Sequence, residues 1–79
     1  MRGLTTRQRE HLAIVSRCSP VSAAELVALS GVPLRAVHQH LDALETKGLL
    51  TSQVIAPLGR PRRIVRIAPA GIVALAVQP

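Results

Sequence analysis

Between Val21 and Gly31 the chain carries a complete helix start and a helix stop, set so close together that the helix between them cannot stand alone. Ser22-Ala23-Ala24-Glu25 fits the S-x-x-E capping box. The Ser22 hydroxyl accepts from the backbone N–H of Glu25, and the Glu25 carboxylate reaches back to the N–H of Ser22. Val21 before the cap and Leu26 at the fourth helical position form a hydrophobic staple, and Leu26 and Leu29 share a face. Gly31 ends the helix by taking positive φ. A helix of about eight residues is well short of the 12–15 at which isolated helices become even marginal. Neighbours have to hold it.

Those neighbours cannot be built around rings, because the 79 residues include no Phe, Tyr or Trp. Leu, Val, Ile and Ala must supply the core. At this length the chain makes one domain, residues 1–79, too small for a pocket between two lobes. Cys18 is the single cysteine, so no disulfide framework exists. The longest apolar stretch, Ile67 to Val77, is broken by Pro69 and Gly71, and no export signal opens the chain. The sequence reads as cytoplasmic and reduced, with no membrane association.

The flanking segments supply what the short helix needs. A first helix is expected from Thr6 to Arg17, capped by Thr5 with Gln8 as its box partner and ended by Ser19-Pro20. Leu12, Val15 and Cys18 or Ser19 form its apolar stripe. His11 and Ile14 widen that stripe, which calls for a second contact with the C-terminal segment or with another subunit. A third helix is expected from about Pro33 to Lys47, with Gly48 as its stop. Val37, Leu41 and Leu44 make its buried stripe. Arg35, His38, Gln39 and Asp42 fall on or near the opposite side.

After Gly48 the period changes. Leu50 to Ala56 reads as a strand, Pro57 to Pro61 as a turn, and Arg63 to Ile67 as a second strand. The result is a hairpin with an arginine tip. Ile72 to Val77 adds a final helical turn or two. The fold class is mainly α with a small β-hairpin: three helices, a hairpin, and a short C-terminal helical segment.

Charge follows the same division. Residues 1–45 hold five arginines against four acids, a net of +1, whereas residues 46–79 hold Lys47, Arg60, Arg62, Arg63 and Arg66 with no acid, a net of +5. A basic half beside a near-neutral one indicates a polyanionic partner. Nine of the ten basic residues are arginine, the side chain suited to bidentate phosphate or guanine contacts. Genome composition accounts equally well for arginine over lysine, but not for the clustering.

The stretch VSAAELVALSGVPLRAVHQHLDALETKGLL, from Val21 to Leu50, resembles the core of bacterial winged helix-turn-helix transcriptional regulators of the MarR, PadR and ArsR type. Glu25-Leu26, Leu29, Gly31-Val32, Val37, His40-Leu41, Leu44-Glu45 and Lys47-Gly48-Leu49-Leu50 carry the likeness. Gly59-Arg60-Pro61-Arg62 with Ile64-Val65-Arg66-Ile67 resembles the wing, and Pro69-Ala70-Gly71 the segment that opens the last helix. The resemblance spans about residues 5–71. It implies a helix-turn-helix at about 22–47, a wing at about 50–67, and binding to double-stranded DNA. Pro33, Leu34, Ala36 and Ala68 depart from the family, which commonly has Ser, Thr or other small polar groups there.

In that geometry the start of the third helix enters the major groove, which puts Leu34, Arg35, Ala36, His38 and Gln39 at the DNA. Arg35 suits guanine O6 and N7, and Gln39, one turn on, suits adenine N6 and N7. His38 suits a base or a phosphate. Arg60, Arg62 and Arg63, at or beside the hairpin tip, suit a backbone or a narrow minor groove. Gly59-Arg60-Pro61-Arg62 is also similar to the core of an AT-hook. Ser22 can touch a phosphate at its helix N-terminus, and equally can serve as a cap alone. The plainer readings are a solvated helix face and a soluble basic turn.

Other chemistry finds little support. His38 and His40 point about 200° apart on a helix and cannot grip one ion. His11 and Cys18 lack further ligands. His40 reads as a packed side chain, and Cys18 as a small core residue, or a redox sensor if exposed. Glu10, Glu25, Asp42 and Glu45 are scattered, with no phosphate loop and no nucleophile–base pair. No enzyme, cofactor or small-molecule ligand is expected. The expected protein is a sequence-specific DNA-binding regulator, a homodimer through the first helix and the C-terminal segment. The alternatives are a winged-helix protein-docking module and a non-specific architectural DNA-binding protein.

Overall fold

A computed structural model describes residues 4–76. Helix α1 (Thr6–Cys18) starts at the expected cap. Thr5 Oγ1 accepts from Gln8 N at 3.1 Å, and Thr5 N donates to Gln8 Oε1 at 3.2 Å. Strand β1 (Val21–Ser22) leads directly into α2 (Ala23–Ser30). The second box is also complete, with Glu25 N donating to Ser22 Oγ at 3.1 Å and Ser22 N to Glu25 Oε1 at 2.9 Å. Gly31 closes α2 at φ 73°, and its N–H donates to Val27 O. That left-handed φ admits glycine at little cost.

Helix α3 (Leu34–Thr46) begins one residue later than the sequence pattern predicts. Pro33 is its N-cap and offers no side-chain cap bond. Val37, Leu41 and Leu44 are fully buried, as their spacing requires. Gly48, at φ 75°, turns the chain into β2 (Leu50–Ile55). A single 3-10 turn at Pro57–Gly59 leads to β3 (Arg62–Ile67), and α4 (Pro69–Ala76) follows. The last helix therefore starts earlier than the expected Ile72. Val77, its expected end, lies outside the described residues.

The hairpin β2–β3 is joined by a third strand that the sequence pattern does not predict. The order is β1-β3-β2, all antiparallel, with Val21 opposite Val65 and Ser52 opposite Val65 on the other side. Residue Val65 sits at the centre and is fully buried. Two residues of β1 are too few to show an alternating pattern.

The core is aliphatic. Leu12, Val15, Val21, Leu26, Val37, Leu41, Leu44, Leu50 and Val65 are each no more than 2% exposed. Fully burying each such side chain contributes about 1.5–3 kcal/mol. The wide face of α1 is satisfied inside the chain, because α1 packs on α3, β3 and α4. His11 and Ile14 are buried there. Two expectations fail. Leu29 is 58% exposed rather than sharing the buried face of Leu26, because it lies at the outer side of a helix of eight residues. Cys18, on the last turn of α1, is exposed rather than in the core. Ser19 instead reaches inward, its Oγ accepting from Ile67 N at 3.2 Å.

Candidate nucleic-acid interface

One face of α3, the start of α2 and the β2–β3 hairpin border an open groove whose lining includes Glu25, Leu34, His38, Arg60, Arg62 and Arg63. The first turn of α3 is free of capping side chains, so its leading N–H groups and dipole are available to anions. Leu34, Arg35 and Gln39 are exposed, while Ala36 and His38 are half-buried. Arg35 and Gln39 stand one turn apart on the same face.

The wing projects its own charges. Arg60 and Arg62 are exposed and form no ion pair among the described residues. The turn before them is tight, with Gly59 N donating to Ala56 O at 3.2 Å and Arg60 N to Pro57 O at 3.1 Å. At its tip Leu58 takes φ 56° and is fully exposed.

Arg63 behaves differently from its two neighbours. Alternation along β3 puts it on the same face as Val65, turned toward α3, and its side chain is only 14% exposed. Its Nη2 lies 2.9 Å from Asp42 Oδ1 and 3.1 Å from Glu45 Oε1. Its Nε and Nη2 also donate to Ser52 Oγ, at 3.3 and 3.1 Å. Ser52 Oγ in turn donates to Glu45 Oε1. Arg63 thus neutralises the carboxylates of α3 and ties β3 to α3 and β2. Asp42 and Glu45 are exposed, as the sequence reading has them, but the sequence alone puts Arg63 at the hairpin tip and gives the two carboxylates no partner. The signal that corrects this is strand parity, since Arg63 precedes the buried Val65 by two.

Ser22 is only 6% exposed, and its hydroxyl oxygen is taken by the α2 cap. The Ser22 backbone and hydroxyl bonds hold the Glu25 carboxyl below its usual range, against a small opposing effect of burial, and Arg62 adds to the lowering. Among the described residues no three His, Cys, Asp or Glu side chains lie close enough to hold a metal ion. His11 and His40 do approach each other, with ring centroids 4.8 Å apart.

Solved structures of DNA-binding and transcription proteins share this fold, three of them as follows. The PcaV transcriptional regulator from Streptomyces coelicolor, in complex with its natural ligand, matches with a TM-score of 0.85 at 16% identity, over 95% of this chain and 52% of that one. The fold is a MarR-type winged helix. A mutant MarR from E. coli complexed with operator DNA matches with a TM-score of 0.79 at 24% identity, over 92% of this chain and 51% of that one. FabT from Streptococcus pneumoniae in complex with DNA matches with a TM-score of 0.82 at 15% identity, over 92% and 50%. The winged helix described here therefore spans about half the length of these proteins. No protein-family model matches the chain, and no curated relative does. No helix among the described residues is long and apolar enough to cross a membrane.

Proposed function

We propose that this winged helix is a sequence-specific binder of double-stranded DNA that regulates transcription. Helix α3 enters the major groove, where Arg35 and Gln39 meet base edges, and Leu34 and Ala36 lie against the groove wall. The wing lays Arg60 and Arg62 on the adjacent backbone or minor groove. Ser22 serves as the cap of α2, its hydroxyl oxygen and backbone N–H both engaged with Glu25, and Arg63 acts through the residues it holds. The supporting observation is the meeting of Leu34 and His38 on α3 with the wing residues Arg60 and Arg62 across one groove, while Arg35 and Gln39 stand exposed on the same helix. The DNA-bound structures of similar fold support it further. The reading carries no catalysis and no cofactor, and it places the protein in the cytoplasm with its DNA.

A homodimer fits the same reading. Ile72 and Val73 on α4 are 56% and 61% exposed, which leaves apolar surface beside α1 for a second copy.

Fluorescence anisotropy across a salt series tests the proposal. DNA from upstream of the protein's own gene is compared with a scrambled duplex of equal length. Tight, salt-sensitive binding with preference for the upstream DNA is the expected result. Equal binding to both duplexes calls for selection from random sequences, and no preference there either makes the protein architectural. No binding at low salt makes it a protein-docking module.

A further inference from the structure

Arg63 reaches past the carboxylates to His38. Its Nη1 lies 3.2 Å from His38 Nδ1. A guanidinium has only N–H donors, accepts nothing, and keeps its proton in proteins. The nitrogen facing it must therefore be the acceptor. That condition leaves Nδ1 bare, and in a neutral imidazole it puts the proton on Nε2.

Arg63 has no room to yield. Asp42, Glu45 and Ser52 hold its Nη2, and Ser52 also holds its Nε. A planar fork pinned on that side presents Nη1 in one direction only. His38, half-buried on α3, lines the groove that faces the wing arginines. Its Nε2 is the ring nitrogen farther from the helix backbone.

We propose that Arg63 is a positioning residue that fixes His38 as the neutral Nε2–H tautomer, and that this one N–H is a specificity-determining donor toward the DNA. The proposal rests on the DNA-binding reading above. A fixed donor takes an acceptor: a phosphate oxygen, a purine N7, guanine O6 or thymine O4. It rejects the amino groups of adenine and cytosine. Arg63 thereby shapes the reading of DNA without touching it.

Two measurements on the full chain test this. Nitrogen-15 NMR of the imidazoles, without DNA, should show His38 with Nε2 protonated and Nδ1 bare. In R63A the two tautomers should exchange. A His38 protonated on Nδ1 in the wild type overturns the proposal, and that spectrum decides even where R63A does not fold. The second measurement is anisotropy on the preferred duplex. Gln places its amide near the Nε2 position and Asn near Nδ1. His38→Gln should bind within about threefold of wild type and His38→Asn about tenfold more weakly, the effect of one missing hydrogen bond. Equal weakening in both overturns the donor role. A wild-type chain that binds no duplex sinks the DNA reading itself, while the spectrum still decides the assignment of Arg63 and His38.

Discussion

His11 and His40 face each other across the contact of α1 with α3, their ring centroids 4.8 Å apart and their planes tilted by 38°. His11 is fully buried and its Nδ1 donates to Arg7 O at 2.8 Å, which leaves Nε2 inside the protein without a hydrogen-bond partner. Burial, then His11, then Arg7 push His40 below the ordinary histidine value of 6.5. At the lowered value the folded chain binds its proton later than the unfolded chain does. Stability from this group is therefore full above about 6.5 and is lost as pH falls from there toward the folded value. Thermal unfolding should show Tm falling on acidification through that window. His40→Gln should flatten the fall, and an unchanged slope would assign the acid sensitivity to other groups.

Gly71 is buried where α4 starts against the beginning of β2. A Cβ there would collide with the backbone carbonyl oxygen of Leu49 and crowd the Ile67 side chain. The same carbonyl accepts from Ala68 N at 3.1 Å, so moving α4 away would strain that bond. Gly71→Ala should lower stability by about 1–3 kcal/mol, the usual cost of overpacking. Urea unfolding checks it through a lower midpoint at unchanged m. Ala70→Ser, at an exposed neighbour, is the control.

At the wing tip Leu58 is strained rather than packed. Its φ of 56° is left-handed and its side chain is fully exposed. The conformation costs an ordinary L-residue roughly 1–2 kcal/mol, and Asn tolerates it better. Leu58→Asn should therefore raise stability by a few tenths to about 1 kcal/mol in the same urea experiment. A fall in stability would mean that Leu58 has a packing role.

What is legible in the sequence and what is not differ in sequence distance. Both capping boxes, at Thr5 with Gln8 and at Ser22 with Glu25, join residues three apart, so the letters alone contain the bond. Val37, Leu41 and Leu44 are legible for a similar reason, since one helix face repeats its own pattern. The clamp of Arg63 on Asp42 joins a strand to a helix, and strand parity can turn Arg63 inward but nothing local names its partner. Only the register of β3 turns Arg63 inward, and that register depends on pairing with β1 and β2. The meeting of His11 with His40 likewise follows from how α1 crosses α3. Cys18 and Leu29 escape a periodic stripe because they lie toward the ends of their helices, where the chain turns outward. The exposed polar face of α3 is legible as a face, but the partition of the wing arginines into two without an ion pair and one bound is not.

That partition makes the last prediction. Arg35 and the pair Arg60 and Arg62 should fail in different ways. Arg35 stands on the face of α3 assigned to base edges, so Arg35→Ala should reduce the preference for the favoured duplex over a scrambled one by about 1–3 kcal/mol. The salt dependence should change little. Arg60 and Arg62 are exposed and form no carboxylate ion pair among the described residues, so each can release a counterion from DNA. Replacing both by Ala should weaken binding to every duplex alike and reduce the salt slope by roughly one or two units, about one for each phosphate no longer neutralised. Arg63→Ala should follow neither pattern, because its charge is already spent on Asp42 and Glu45. Its removal leaves the two exposed carboxylates without a neutralising partner at the proposed DNA face and frees the wing from α3, so affinity should fall by more than the removal of a single phosphate-binding charge explains. Anisotropy titrations of the three variants over a common salt range separate these outcomes. An Arg63 variant that merely repeats the behaviour of the Arg60 and Arg62 pair would return Arg63 to the set of residues that bind phosphate directly.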